Sequence, residues 1–284
     1  MITSSVIVAA AAVVRGADVA VSVAARSIQP GELVVLTLAT SSAVTDVRAR
    51  AFGRDLKPIR TSSTGWQILI GIDLDTKPGR YDVSITSGPS EKDRITQLLT
   101  ILPKRFATRR LTVDAAFVNP SAEQAARIKD DAARLNGAWV SSVPTSLWSG
   151  AWARPVPGAA NSVFGTRSIF NGEPRSPHSG ADFQGAAGTP VKAPNSGRVV
   201  LAGDLYFTGN TVVIDHGAGL FSLFAHLRAI NVREGDMVAT NTVLGELGAT
   251  GRVTGPHLHW AVRLDGARID PLSLLALLGE SAKP

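Results

Sequence analysis

All five histidines of this 284-residue chain fall in its second half, and four sit in short motifs that could do chemistry. His178 and Asp182 flank Gly180 in the run His178-Ser179-Gly180-Ala181-Asp182, a turn-like stretch in which the two side chains can converge. His257 and His259 follow Gly255-Pro256 and lead into Trp260-Ala261-Val262, which reads as a strand, so both imidazoles should face one cleft. His216 and His226 lie between, in Ile214-Asp215-His216-Gly217 and Phe224-Ala225-His226-Leu227. The chain has no cysteine, so a transition metal has to be held by imidazole and carboxylate. Two histidines and one carboxylate, with water in the fourth place, make the ligand set of a catalytic zinc site, where the metal acidifies its water to a pKa of about 7 and polarises a carbonyl. Each motif alone is weak: a His-x-His pair is often structural, and a lone histidine is more often hydrogen-bonded in a core than a ligand. Their combination in one glycine-rich β segment carries the reading. On spacing alone either His257 or His259 can be the ligand.

With those motifs stand Ala193-Pro194-Asn195-Ser196-Gly197, Gly209-Asn210, Val232-Arg233-Glu234-Gly235-Asp236 and Gly248-x-x-Gly251. In this order, over about Pro155 to Leu274, the set resembles the lysostaphin-type, or LytM-type, zinc metallopeptidases that cut peptidoglycan. The resemblance implies that His178, Asp182 and His259 hold one zinc ion per chain and that His226 and His257 assist catalysis, while His216 is structural and not a ligand. It implies a zinc-dependent endopeptidase acting on cross-links or stem peptides of peptidoglycan. The alternative is a catalytically inactive relative that binds the wall or activates another hydrolase; such proteins usually lose ligands, and here the full set is present. No His-Glu-x-x-His base is evident. Glu234 and Glu246 are the local acids, in contexts that favour solvated surface. A biotinyl or lipoyl carrier shares the hairpin pattern around 193–199 and 232–238, but it needs a modifiable lysine at a hairpin tip. Lys192 enters a strand and Lys283 is terminal, so that reading fails on chemistry.

The elements that must position this site are mainly β. Val19, Val21 and Val23 alternate, and further strands are expected over 33–38, 44–52, 66–72, 81–85 and 97–102, with Pro-Gly turns at 30–31 and 78–79. That spacing predicts an immunoglobulin-like β-sandwich over 19–102. A basic connector follows over 103–149 with Lys104, Arg105, Arg109 and Arg110, and a helix is predicted over 121–136. Ser121 caps this helix, Ala125, Ile128, Ala132 and Leu135 form one face, and Gly137 stops it; its simplest role is a spacer. The segment 150–284 is expected to be a compact antiparallel β catalytic domain, barrel-sandwich-like by the resemblance.

Hydrophobic residues at 44% and charged residues at 18% place the chain among globular proteins. A net charge of +6 fits attraction to an anionic polymer, but basic and aromatic residues do not cluster as in nucleic-acid modules, so no nucleic-acid partner is expected. Peptidoglycan peptides and peripheral association with the envelope are the expected partners, and an exported, periplasmic or cell-envelope location follows. Val6 to Val14 is too short to span a bilayer. It reads equally as the apolar part of a secretory signal within 1–18 or as a first strand, since Met1 to Ser5 carries no positive side chain.

Overall fold

Alternation of Val, Leu and Ile with polar residues builds the first half of the molecule. The computed structural model describes residues 14–16, 19–42, 44–88, 94–112, 120–140, 142–160 and 164–279. The reading of Val6 to Val14 lies outside these residues except at its end, where Val14–Gly16 is an edge strand antiparallel to Val19–Ala25. Strands Leu33–Thr40, Val47–Ala51, Gly65–Gly71, Gly79–Ser87 and Arg94–Ile101 match the expected series. Two short strands, Arg54–Leu56 and Ile59–Arg60, were not legible because they have too few residues to show a period. The strands form a five-stranded and a four-stranded sheet. Val21, Leu36 and Ile68 of the first meet Val83, Ile85 and Leu99 of the second in one buried cluster, which makes a β-sandwich.

The helix runs Ala122–Ala138, one residue past Gly137, which does not stop it. Ser121 and Gln124 form a reciprocal capping box at its start. Its covered stripe differs from the expected one. Ala125 and Ala132 are exposed, whereas Ile128, Asp131, Leu135 and Ala138 turn inward. Leu135, Ala138 and Trp139 pack on Leu201, Phe221 and Leu223, and Asp131 accepts a hydrogen bond from Tyr206 N at 2.7 Å. The helix is therefore docked rather than a free spacer. The connector also supplies Thr108–Leu111, paired in parallel with Arg167–Phe170.

The second half is a nine-stranded, antiparallel sheet whose main path runs 180–184, 257–264, 220–230, 209–215, 197–205, 237–238. Its core contains Phe183, Phe224, Leu258 and Trp260, and Leu33, Val35 and Leu69 of the sandwich belong to the same buried cluster. The two halves are tied by polar contacts as well. The C-terminal helix Pro271–Leu278 is capped by Asp270, whose carboxylate takes a 2.6 Å contact from Arg26. Ser273 Oγ accepts from Leu33 N, and Arg268 binds Asp73 and Asp75. Among the described residues no helix is long and apolar enough to cross a membrane.

Candidate metal centre

Three adjacent strands bring the histidines together. His257–Leu264 lies between Gly180–Gln184 and Leu220–Ile230. Along it Leu258 and Trp260 enter the core, so His257 and His259 share the opposite face, as their spacing requires. Asp182 lies directly opposite His259 in the antiparallel register, and cross-strand partners on one face are close neighbours. His178 precedes the strand and is fixed by its own backbone: His178 N donates to Thr166 O and Gly165 N donates to His178 O.

The outcome is a triangle of ligand-type atoms. His178 Nε2 lies 2.9 Å from His259 Nδ1, and both lie 3.0 Å from Asp182 Oδ1. Among the described residues this is the group of His and carboxylate side chains that could hold a metal ion. The donor set fits zinc: ligand atoms held at about 2.0–2.1 Å in a tetrahedral shell lie roughly 3.3 Å from one another. Burial pushes the Asp182 carboxyl up, but hydrogen bonds and charge from His178 and His259 outweigh it and hold the pKa well below the usual carboxylate range. Burial lowers the pKa of His259, against the raising effect of Asp182. A carboxylate and a neutral imidazole are the protonation states a metal requires.

His226 and His257 stand beside the triangle. His257 Nδ1 is 2.9 Å from Gly255 O and His226 Nδ1 is 3.0 Å from Thr250 O. A carbonyl can only accept, so each Nδ1 carries a proton, and in the neutral ring the lone pair is on Nε2. His257 Nε2 is 3.9 Å from Asp182 Oδ1, outside the triangle. His226 has φ +66°, uncommon for a residue with a side chain, at a register shift between the strands 209–215 and 220–230. Burial, then the charge of His259, pushes the His226 pKa down to about 4.

Sequence reasoning did not find what orients these rings. Thr208 O takes the His226 N–H, Thr250 O takes its ring, and the two loops touch because both Gly209 and Gly251 lack a Cβ: one on Gly251 would lie 2.4 Å from Gly209 N. The Gly248-x-x-Gly251 spacing was the available signal. His216 is fully buried, between Ser196 O and Ser222 Oγ and against Trp152, away from the triangle. Glu234 bonds Ala202 N and faces Arg134, and Glu246 pairs with Arg228, so both acids are engaged in surface contacts.

A mainly β domain that brings His259 and Asp182 from neighbouring strands together with His178 from the preceding loop has a site of the class that can hold a metal ion. Peptidase family M23 matches residues 176–271. A crystal structure of a candidate M23 peptidase from Pseudomonas aeruginosa is 32% identical, with a TM-score of 0.68 over 90% of this chain and 96% of that one. The DD-carboxypeptidase/endopeptidase Mpg of Neisseria meningitidis is 41% identical over 97 residues, and the peptidoglycan DD-endopeptidase ShyA of Vibrio cholerae is 40% identical over 96. Each of these alignments covers 34% of this chain and 22% of the relative, so the chain spans about a fifth of the length of the curated relatives it matches. The chain belongs to peptidase family M23.

Proposed function

We propose that this chain is a zinc-dependent endopeptidase that hydrolyses peptide bonds in the cross-links or stem peptides of bacterial peptidoglycan. One observation carries the reading: His178 Nε2, Asp182 Oδ1 and His259 Nδ1 converge within 3.0 Å of one another, beside two imidazoles whose Nδ1 atoms donate to backbone carbonyls. We assign those three residues as the ligands of one zinc ion per chain. Bound there, zinc supplies a Lewis acid that polarises a carbonyl and acidifies water.

The remaining work falls to the side chains. His226 and His257 act at Nε2. One of them accepts the proton released as water adds to the peptide carbonyl carbon. The imidazolium so formed donates to the developing oxyanion or delivers its proton to the leaving amine. Burial keeps His226 neutral at pH 7, the state in which it can accept that proton. The hydrogen bonds to Gly255 O and Thr250 O fix both tautomers, so no proton has to be redistributed within either ring before the reaction.

The substrate class is supported by relatives named as peptidoglycan DD-endopeptidases, taken together with the net charge of +6. Such a substrate requires an exported protein that works in the periplasm or cell envelope and associates with the wall peripherally. Zinc per chain by elemental analysis, and mass spectrometry of products from purified peptidoglycan with and without a chelator, test the proposal. Zinc-loaded protein that leaves peptidoglycan intact would reject it.

A further inference from the structure

The segment that carries His178 and the two segments whose backbone carbonyls hold His226, at Thr208 and Thr250, also carry a second cluster with no role in the steps above. Arg175 lies three residues before His178, Arg252 lies two residues after Thr250, and Tyr206-Phe207 precedes Thr208. Arg252 N donates to Phe207 O. The Arg252 guanidinium sits 4.3 Å from the Phe207 ring centroid and 5.8 Å from that of Phe170. Tyr206 and Phe207 meet edge to face at 5.0 Å, and Phe207 is 38% exposed at the rim.

Two features of this cluster are costly in isolation. Arg175 Nε is buried with no hydrogen-bond partner. Arg252 is partly buried, and its pKa is lowered by that burial and then by the positive charge of Arg175. Two guanidiniums close enough to repel, with no carboxylate paired to either among the described residues, lack the anion that would offset both costs. Arg252 also faces a cavity of 330 Å³ shared with Tyr206, Leu205 and Gly251. The one carboxylate on that cavity, Asp204, is already held by Arg127. The aromatic faces beside Arg252 hold the guanidinium plane while leaving its N–H groups available for a planar acceptor.

We propose that Arg252, supported by Arg175 and held between Phe170 and Phe207, forms a carboxylate-recognising subsite beside the metal centre, which makes the enzyme select peptides that carry a carboxylate close to the scissile bond. This rests on the peptidase reading given above and deepens it. Free C-terminal or side-chain carboxylates of peptidoglycan peptides are the chemical class that fits, and a carboxamide at the same position does not. A carboxylate accepts two parallel N–H bonds from a guanidinium and carries the neutralising charge, whereas the amide offers one acceptor and no charge.

Two peptides identical except for carboxylate or carboxamide next to the scissile bond test the subsite. Their binding to the full-length chain is measured by calorimetry after chelator treatment, so that neither turnover nor the metal contributes. The acid is expected to bind about tenfold more tightly than the amide, and added salt should shrink the ratio. Arg252→Gln should bring the ratio to within about twofold, Arg252→Lys should keep part of it, and Arg175→Gln should reduce it independently. The same ratio in kcat/KM should be seen with zinc-loaded protein. Equal binding of acid and amide by the parent chain overturns the subsite, as does a ratio that survives both Arg252→Gln and Arg175→Gln in folded protein. Preference for the acid in binding, with neither peptide cleaved, counts against the peptidase reading and leaves the subsite standing.

Discussion

His226 and His257 face each other with ring centroids 4.8 Å apart, though they reach that position by different backbone routes. His257 opens a regular strand, whereas His226 sits in a left-handed conformation at a bulge. The bulge turns the His226 ring towards His257 instead of into the alternation of a strand that is buried from Leu220 to Leu227.

From this pairing follows a division of labour. His259→Ala removes a proposed ligand and should lose both zinc and activity. His257→Ala and His226→Ala should keep zinc and lower turnover by roughly 10²-fold or more. Zinc per chain and hydrolysis are measured for all three. Zinc lost from His257→Ala but kept by His259→Ala would reverse the ligand assignment.

Gly180 provides a test of positioning without touching a ligand. A Cβ there would lie 2.6 Å from both Trp260 O and His259 Cε1. The backbone carbonyl cannot move without disturbing the strand pair, so the His259 ring has to shift. Gly180→Ala should weaken metal affinity by about 10–100-fold, the scale of disturbed ligand orientation. Zinc competition titration checks this, and unchanged affinity in a folded variant would show that the ring is free to adapt.

Much of the site was legible because metal chemistry constrains residue type and spacing. Asp182 and the His257/His259 pair were found that way, with the family resemblance choosing His259, but the pairing of Asp182 with His259 joins strands 77 residues apart, and no local period encodes such a register. The distinction between His257 and His259 is likewise tertiary: it depends on which ring reaches Asp182. The sandwich strands were legible through alternation. The docking of the helix was not, because alanines at 125 and 132 read as apolar although they face solvent, while Asp131 turns inward to Tyr206 N. The core shared by the two halves was hidden for a similar reason. Leu33, Val35 and Leu69 look like residues of a strand buried on both faces, and the sequence does not say that one face is covered by the second half.

That shared core should make the halves unfold together. Arg268 binds Asp73 through two guanidinium contacts of 3.1 and 2.6 Å and through its backbone N–H at 2.9 Å. Arg268→Ala should cost about 2 kcal/mol, the scale of hydrogen bonds to a charged group, with a single transition retained. Denaturant unfolding followed by two probes, one in each half, checks it. Separated transitions in the parent chain would show that the interface does not couple the halves.

His216 predicts an acid sensitivity unrelated to the metal. Burial pushes its pKa down to about 4, against the raising effect of the Ser196 carbonyl. Between that value and the ordinary pKa of about 6.5 the unfolded chain binds the extra proton, so stability present above about pH 6.5 is lost as pH falls towards 4. The loss from this group is on the order of 3 kcal/mol. His216→Gln should be less stable at pH 7.5 but should lose less on acidification. Urea midpoints at pH 7.5 and 4.5 give the comparison, and equal losses in parent and variant would remove His216 as the source.

The last prediction concerns where the catalytic unit begins. The motif strands alone place its start near residue 150. Asp215 is fully buried, and its carboxylate accepts from Ser142 Oγ at 2.7 Å, Val143 N at 3.2 Å and Gly217 N at 2.8 Å. Leu147 N donates to His216 O, and Ala218 N donates to Val143 O. Upstream, Leu135, Ala138 and Trp139 cover Phe221 and Leu223. A cut at 150 removes two of the donors to a buried charge and uncovers an apolar face of the sheet, at a cost of about 3 kcal/mol or more. We therefore expect 103–284 to be the more stable fragment and 150–284 to be poorly soluble or to unfold at clearly lower urea. Both fragments lose the sandwich and its share of the core, so the comparison isolates the connector. Equal urea midpoints for the two would place the start at 150 and show that the helix and the Ser142–Asp215 clasp add nothing to the catalytic unit.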